Sequence, residues 1–129
     1  MAPIEPDTGQ AILALVDDDE ALRHALSFAF EAHGFPVSAF ADAETALASG
    51  NLAAWRCMVL DYQLPGLTGL ELLDRLRAAG VRAPAVLITT QPSLSTRARA
   101  LLAGVEIVEK PLLDDTLMTK VSRYWAGAY

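Results

Sequence analysis

Two short apolar runs that do not alternate with polar residues constrain this chain more than any other feature. One is Ile12-Leu13-Ala14-Leu15-Val16, and the other is the Arg56 to Leu60 segment, which closes on Met58-Val59-Leu60. A strand with one wet face alternates, so runs like these read as strands covered on both sides. Each then stops on acid. The first runs into Asp17, Asp18 and Asp19, and the second ends on Asp61 before Tyr62-Gln63-Leu64-Pro65-Gly66-Leu67-Thr68-Gly69, a turn rich in Pro and Gly. Taken alone, Asp61 reads first as an acid that only caps a turn. Two buried strands with carboxylates at matching ends suggest a shared acidic pocket.

The rest of the chain alternates helix with strand. After the first acids a helix carries Leu22, Ala25, Leu26, Ala29 and His33 on one face, with Phe28 off it, and Gly34 fits the position just past its end. Phe35 to Phe40 is a second strand, which Pro36 moves toward a sheet edge or a strand start. Asp42 can cap a short helix through Ser49. Thr68 and Glu71 have capping-box spacing ahead of a helix with Leu72, Leu73 and Leu76 inward. Pro84 to Thr89 is a fourth strand. Pro92 suits the first turn of a fourth helix whose Leu94, Ala98, Leu101 and Leu102 share a face. Val105 to Val108 is a fifth strand. Asp114 or Asp115 caps a last helix with Leu117, Val121, Tyr124 and Trp125 inward. Five strands and five helices joined by short loops imply an α/β fold, a doubly wound parallel sheet with right-handed crossovers.

Composition narrows the function. The 129 residues suit one domain, with residues 1–10 as a short flexible leader and 11–129 as the folded unit. A formal net charge of −6 argues against a nucleic-acid groove. No run approaches the ~18 apolar residues of a membrane span, and Met1 to Gln10 lack the features of a signal peptide, so a cytoplasmic chain is expected. Cys57, the single cysteine, sits inside a strand and reads as a small core residue.

In open parallel sheets ligands bind beyond the carboxyl ends of the strands, where strand order reverses. For five strands in the order 2-1-3-4-5 that point lies between the first and third. Asp17, Asp18 and Asp61 then crowd together, and protonation or a bound cation relieves their repulsion. Oxygen ligands with room for water favour Mg²⁺ over zinc. Thr89 ends the fourth strand and Lys110 follows the fifth, so a hydroxyl and an ammonium reach the same rim. A carboxylate, a cation, a hydroxyl and a lysine are the parts needed to accept a phosphoryl group.

In this order, Leu15-Val16-Asp17-Asp18-Asp19, Asp61 with Pro65 and Gly69 after it, Thr89, and Lys110-Pro111 resemble the response-regulator receiver domain of two-component signalling, over about residues 11–127. The resemblance implies a flavodoxin-like fold and a phosphoacceptor, Asp61, served by a histidine kinase or phosphotransfer protein. It also implies Mg²⁺ held by Asp18, Asp61 and the Gln63 main-chain carbonyl, with Asp17 acting through water. Thr89 and Lys110 would contact the phosphoryl oxygens, and the lysine–proline bond would be cis. Such a domain is not a turnover enzyme; it undergoes at most self-phosphorylation from small donors and autodephosphorylation. Its output would run through the face of the fourth helix, fifth strand and fifth helix to a protein target or a second copy of the chain, and a stand-alone receiver is expected.

Several residues depart from that pattern or read blandly. Ile107 stands where many receivers carry a switching aromatic, and Thr90 stands where Ala or Gly is common. Gln63, Thr90 and Gln91 occupy the access and lifetime positions. Asp19 reads as a helix cap, His24 and His33 as surface or packing residues, and Arg97 with Arg99 as a small basic spot. Two rivals remain. A phosphatase of the haloacid dehalogenase type resembles Asp-x-Asp after a first strand, whereas here Gln63 follows Asp61 on the third. A degenerate receiver used as a constitutive protein-binding module fits Ile107 but not the intact acids.

Overall fold

The computed structural model describes residues 10–112 and 114–127. The expected leader, Gln10 apart, and Tyr129 lie outside the described residues. In order, the elements are β1 (Ile12–Val16), α1 (Glu20–Ala32), β2 (Val37–Phe40), α2 (Ala43–Leu47), a 3-10 turn (Leu52–Ala54) and β3 (Trp55–Asp61). They continue with β4 (Gln63–Leu64), β5 (Leu67–Thr68), α3 (Gly69–Ala78), β6 (Ala85–Thr89), α4 (Leu94–Leu102), β7 (Glu106–Glu109) and α5 (Thr116–Trp125). The main sheet is parallel throughout, in the order β2-β1-β3-β6-β7. With the small β4–β5 hairpin set aside, this is the flavodoxin-like 2-1-3-4-5 arrangement.

Both faces of the sheet are covered, which is why its strands lack polar alternation. Ala14, Val16, Met58, Leu60, Ala85 and Leu87 point to one face, where Ala43, Ala46, Leu70, Leu72, Leu73 and Leu76 pack on them. Leu13, Leu15, Cys57, Val59, Val86 and Ile88 point to the other and meet Phe30, Leu117, Val121 and Tyr124. Cys57 is fully buried, and burial pushes its thiol up to about 12, so it behaves as a core residue.

The capping chemistry follows the sequence. Asp19 caps α1 by accepting from the Leu22 amide at 3.2 Å, Asp42 caps α2 by accepting from Thr45, and Thr68 with Glu71 forms a reciprocal capping box on α3. At α5 the Asp114 carboxylate accepts from the Thr116 amide, while the Asp115 side chain makes no cap bond.

One helix face differs from expectation. On α1 the inward anchor is Phe30, with Leu22 and Leu26 partly buried beside it, while Ala25 and His33 are exposed. The i, i+4, i+8 row through these larger side chains buries more apolar area than a row through alanines. Phe28 stays outside, 76% exposed.

On α4 the apolar stripe faces water: Leu94, Leu101 and Leu102 are 85%, 80% and 88% exposed, and Ala98 is exposed as well. Thr96 and Ala100 turn inward instead, and Ser93 bonds the Thr96 hydroxyl at 3.1 Å. Pro92 precedes the helix, and Ser93 is its N-cap. β2 and β7 are displaced slightly from their expected limits, and β3 extends to both Trp55 and Asp61.

Candidate functional site

Register brings the acids together. Val16 lies beside Leu60 in the β1–β3 pairing, so the residues that follow, Asp17 and Asp61, leave the sheet at the same level. Asp61 is paired with Ile88 and Thr89 with Glu109, which carries the same rim across β6 to β7. The Lys110 amide donates to the Thr89 carbonyl at 2.8 Å, and the Lys110–Pro111 peptide is cis. Four strand ends thus meet at one rim.

The side chains converge there. Asp17, Asp18 and Asp61 each offer a carboxylate oxygen within 4.8 Å of the other two. Lys110 Nζ lies 3.2 Å from Asp61 Oδ1 and 3.7 Å from Asp17 Oδ2. Asp17 and Asp61 are buried, Asp18 is exposed, and Thr89 is buried at the end of β6, the strand paired with β3. The Asp19 amide donates to Asp17 Oδ1 at 2.9 Å, whereas Asp17 Oδ2 is buried with no hydrogen-bond donor. Burial, and then repulsion from Asp17, push the Asp61 carboxyl up to about 6 against the pull of Lys110. Burial also raises Asp17, opposed by the Asp19 amide and by Lys110. A single ammonium does not balance this cluster.

An additional divalent cation would. Clustered hard oxygens, one of them a buried carboxylate oxygen lacking a donor, are a donor set that fits Mg²⁺ or a similar hard ion.

The β4–β5 hairpin shapes the other wall. Pro65 and Gly66 form its tip, with Gly66 at φ +83°, the positive value that a Pro-Gly turn requires. The hairpin returns the chain so that the Gly69 amide donates to the Tyr62 carbonyl at 2.7 Å. Gly69 is buried there, and a Cβ on it would run into the Asp61 carbonyl oxygen and lie 2.9 Å from Leu87 Cδ1. Its hydrogen side chain is what lets α3 start against the end of β3.

The remaining candidates lie at the edge or away. Gln63, Thr90 and Gln91 are exposed, and Gln91 sits in the left-handed region at φ +46°. Ile107 is half-buried and packs against the cluster beneath α3. His24 on α1 and His33 at its C-cap are exposed, outside the acidic group. Arg97 is paired with Glu109 at 2.5 Å, so the basic spot on α4 is partly neutralised. Glu106 on β7 accepts from Lys120, Arg123 and Tyr124, tying α5 to the sheet edge.

Sequence reasoning missed one contact. Arg23 Nη1 donates to the Asp17 main-chain carbonyl at 2.9 Å. Its place in the first turns of α1, six residues after Asp17, is the one signal that could have found it.

Among the described residues no helix is long and apolar enough to cross a membrane. Residues 13–122 match the model of the response regulator receiver domain. The chain is 33% identical over 115 residues to the transcriptional regulatory protein FixJ of Bradyrhizobium diazoefficiens, covering 88% of this chain and 56% of that one. It therefore spans about half the length of this curated relative. The solved structure of the response regulator StyR superposes with a TM-score of 0.83 at 30% identity, over 93% of this chain and 61% of that one. Vibrio cholerae chemotaxis protein CheY4 gives 0.80 at 25% identity, over 90% of this chain and 99% of that one.

Proposed function

The chain belongs to the response regulator receiver domain family, and from that premise we propose that it is a phosphorylation-controlled switch with Asp61 as phosphoacceptor. The observation that carries this reading is the convergence of Asp17, Asp18 and Asp61 within 4.8 Å, with Lys110 Nζ 3.2 Å from Asp61. The donor is a phosphohistidine on a kinase or phosphotransfer protein.

An Asp61 oxygen attacks phosphorus as the phosphorus–nitrogen bond breaks, and the imidazole nitrogen keeps the bonding pair. Asp18, Asp61 and the Gln63 main-chain carbonyl would hold Mg²⁺, with Asp17 acting through water. When bound, the ion offsets charge on the transferred oxygens. Lys110 donates an ammonium hydrogen to one phosphoryl oxygen, and Thr89 turns its hydroxyl to another. Burial of Asp17 keeps one wall of the site dry, so these contacts act at low dielectric. With Ile107 in the place of an aromatic side chain, the pull on Thr89 acts on α4 through the 89–93 loop. The exposed Leu94, Leu101 and Leu102 make α4 the output surface, together with β7 and α5, for a protein target or a second copy.

Incubation with a small acyl-phosphate donor and Mg²⁺ is the direct test. We expect a mass gain of one phosphoryl group, lost when Mg²⁺ is removed with a chelator. No gain in the presence of Mg²⁺, with folded protein, would exclude the reading. Turnover of generic phosphate esters would instead favour a phosphatase.

Thr90 narrows the approach to Asp61, because a branched side chain stands exposed at the rim directly after Thr89. Thr90→Ala is expected to accept phosphoryl a few-fold faster from the same donor. Equal rates in a side-by-side time course would remove Thr90 from the access path.

A further inference from the structure

We propose that Arg23 is a positioning residue for the cation site, acting on it through the backbone of the β1–α1 turn. The inference deepens the reading of Asp17, Asp18 and Asp61 as a Mg²⁺ pocket and rests on it. Arg23 touches none of the carboxylates in a described hydrogen bond. Its Nη1 donates to the main-chain oxygen of Asp17 at 2.9 Å, while its own amide donates to the Asp19 carbonyl at 2.8 Å.

The target of that bond matters. The Asp17 carbonyl and the Asp18 amide belong to one rigid peptide plane. Fixing the carbonyl fixes the plane, and so fixes the point from which the Asp18 side chain departs. Asp18 is exposed, and none of the hydrogen bonds among the described residues orients its carboxylate. The backbone beneath it therefore sets where its side chain begins. Asp17 has other restraints: its amide donates to Phe40 at 3.1 Å and its Oδ1 accepts from Asp19. The Asp18 Cα hangs between the plane that Arg23 holds and the plane held by the Asp19 amide on Asp17 Oδ1 at 2.9 Å, and losing Arg23 frees the first of them.

Charge acts in the opposite direction. A guanidinium near a cation site repels the cation, so if electrostatics governed, removing Arg23 would tighten binding. Positioning governs here because the guanidinium is engaged with the Asp17 carbonyl oxygen at 2.9 Å, and outer partners that orient metal ligands commonly carry roughly ten- to hundredfold of affinity.

The experiment is a Mg²⁺ titration of the unphosphorylated full chain by calorimetry, comparing the unaltered protein with Arg23→Ala, Arg23→Met and Arg23→Lys. Thermal unfolding in chelator reports whether each is folded at the titration temperature. Arg23→Met keeps the aliphatic stem without a donor, and it carries the comparison if the alanine variant does not fold. The expected result is Mg²⁺ affinity about tenfold weaker in Arg23→Ala and Arg23→Met, with most of it recovered in Arg23→Lys, whose ammonium again has a donor. Affinity within twofold of the unaltered protein, or tighter, in folded Arg23→Met overturns the inference and leaves the Mg²⁺ pocket standing. Absence of Mg²⁺ binding by the unaltered protein overturns the pocket and the inference together.

Discussion

Asp61→Asn is expected to end phosphoryl labelling completely while making the metal-free protein more stable. The first effect follows from chemistry, since the amide oxygen is not a competent nucleophile, and Asp17, the other acid beside Lys110, is fully buried, has its Oδ1 held by the Asp19 amide and stands farther from the ammonium, at 3.7 Å against 3.2 Å. The second follows from linkage. The folded protein holds the Asp61 proton up to about pH 6, against an ordinary carboxyl value of 3.8, mainly through burial and then through Asp17. Below about pH 4 folded and unfolded chains are both protonated and the site carries no penalty. Between about 4 and 6 the unfolded chain binds fewer protons than the folded one, so stability falls as pH rises, by at most about 3 kcal/mol, and stays lowered above that window. A neutral isostere removes the penalty.

Chemical unfolding in chelator should therefore show Asp61→Asn more stable than the unaltered protein at pH 7, and nearly equal to it at pH 4. A residual slope remains from Asp17, which is also raised. Labelling that persists in Asp61→Asn would reassign the phosphoacceptor, and a variant less stable at pH 7 would show that its pairing with Lys110 outweighs burial.

Gly69→Ala carries the second large effect, and here both losses run in one direction. A methyl at this position meets the Asp61 carbonyl oxygen, which is main chain and cannot swing aside as a flexible side chain does. Either α3 backs away or the end of β3 shifts. The expected result is a loss of about 1–3 kcal/mol in stability, typical of overpacking in a well-packed core. A fall in phosphoryl-transfer rate should accompany it, because displacing the Asp61 backbone moves its carboxylate off Lys110. Denaturation midpoints and labelling rates measured on the same preparation check both. A variant as stable and as fast as the unaltered protein would mean that the α3 start has slack the structure does not show.

Much of this site is legible in the order of residues alone. Parallel strands buried on both faces advertise themselves as unbroken apolar runs, and the residue at which each run stops is the residue the sheet delivers to its rim. That is why Asp17, Asp61 and Thr89 are readable, and why Lys110, one residue beyond β7, follows from them. Caps are readable for a similar reason, because Asp19, Asp42 and Thr68 act on amides only three residues away.

What stays hidden depends on distance and direction. Periodicity locates a stripe on α4 but does not say whether Leu94, Leu101 and Leu102 or the smaller Thr96 and Ala100 face the sheet. The same ambiguity exchanges Phe30 for Ala25 and His33 on α1. The β4–β5 hairpin is masked by its brevity, since two residues show no period. Arg23 is masked because its partner is a carbonyl, which every residue has. Gly69 can be placed in a motif, but the oxygen that excludes a side chain from it comes from eight residues upstream and becomes visible only in three dimensions.

The shallow seating of α4 has a mechanical consequence. α1, α3 and α5 are each nailed down by bulky groups, Phe30 in the first, four leucines in the second, and Leu117 with Val121 and Tyr124 in the third. Against the sheet α4 rests on a methyl and a hydroxyl, so tilting or sliding it strips little oil from its contacts and demands little free energy. Under the proposed switch, a pull on Thr89 would swing a rod whose outer side is already leucine, and what a neighbour would sense is a reorientation of exposed grease with the interior left shut.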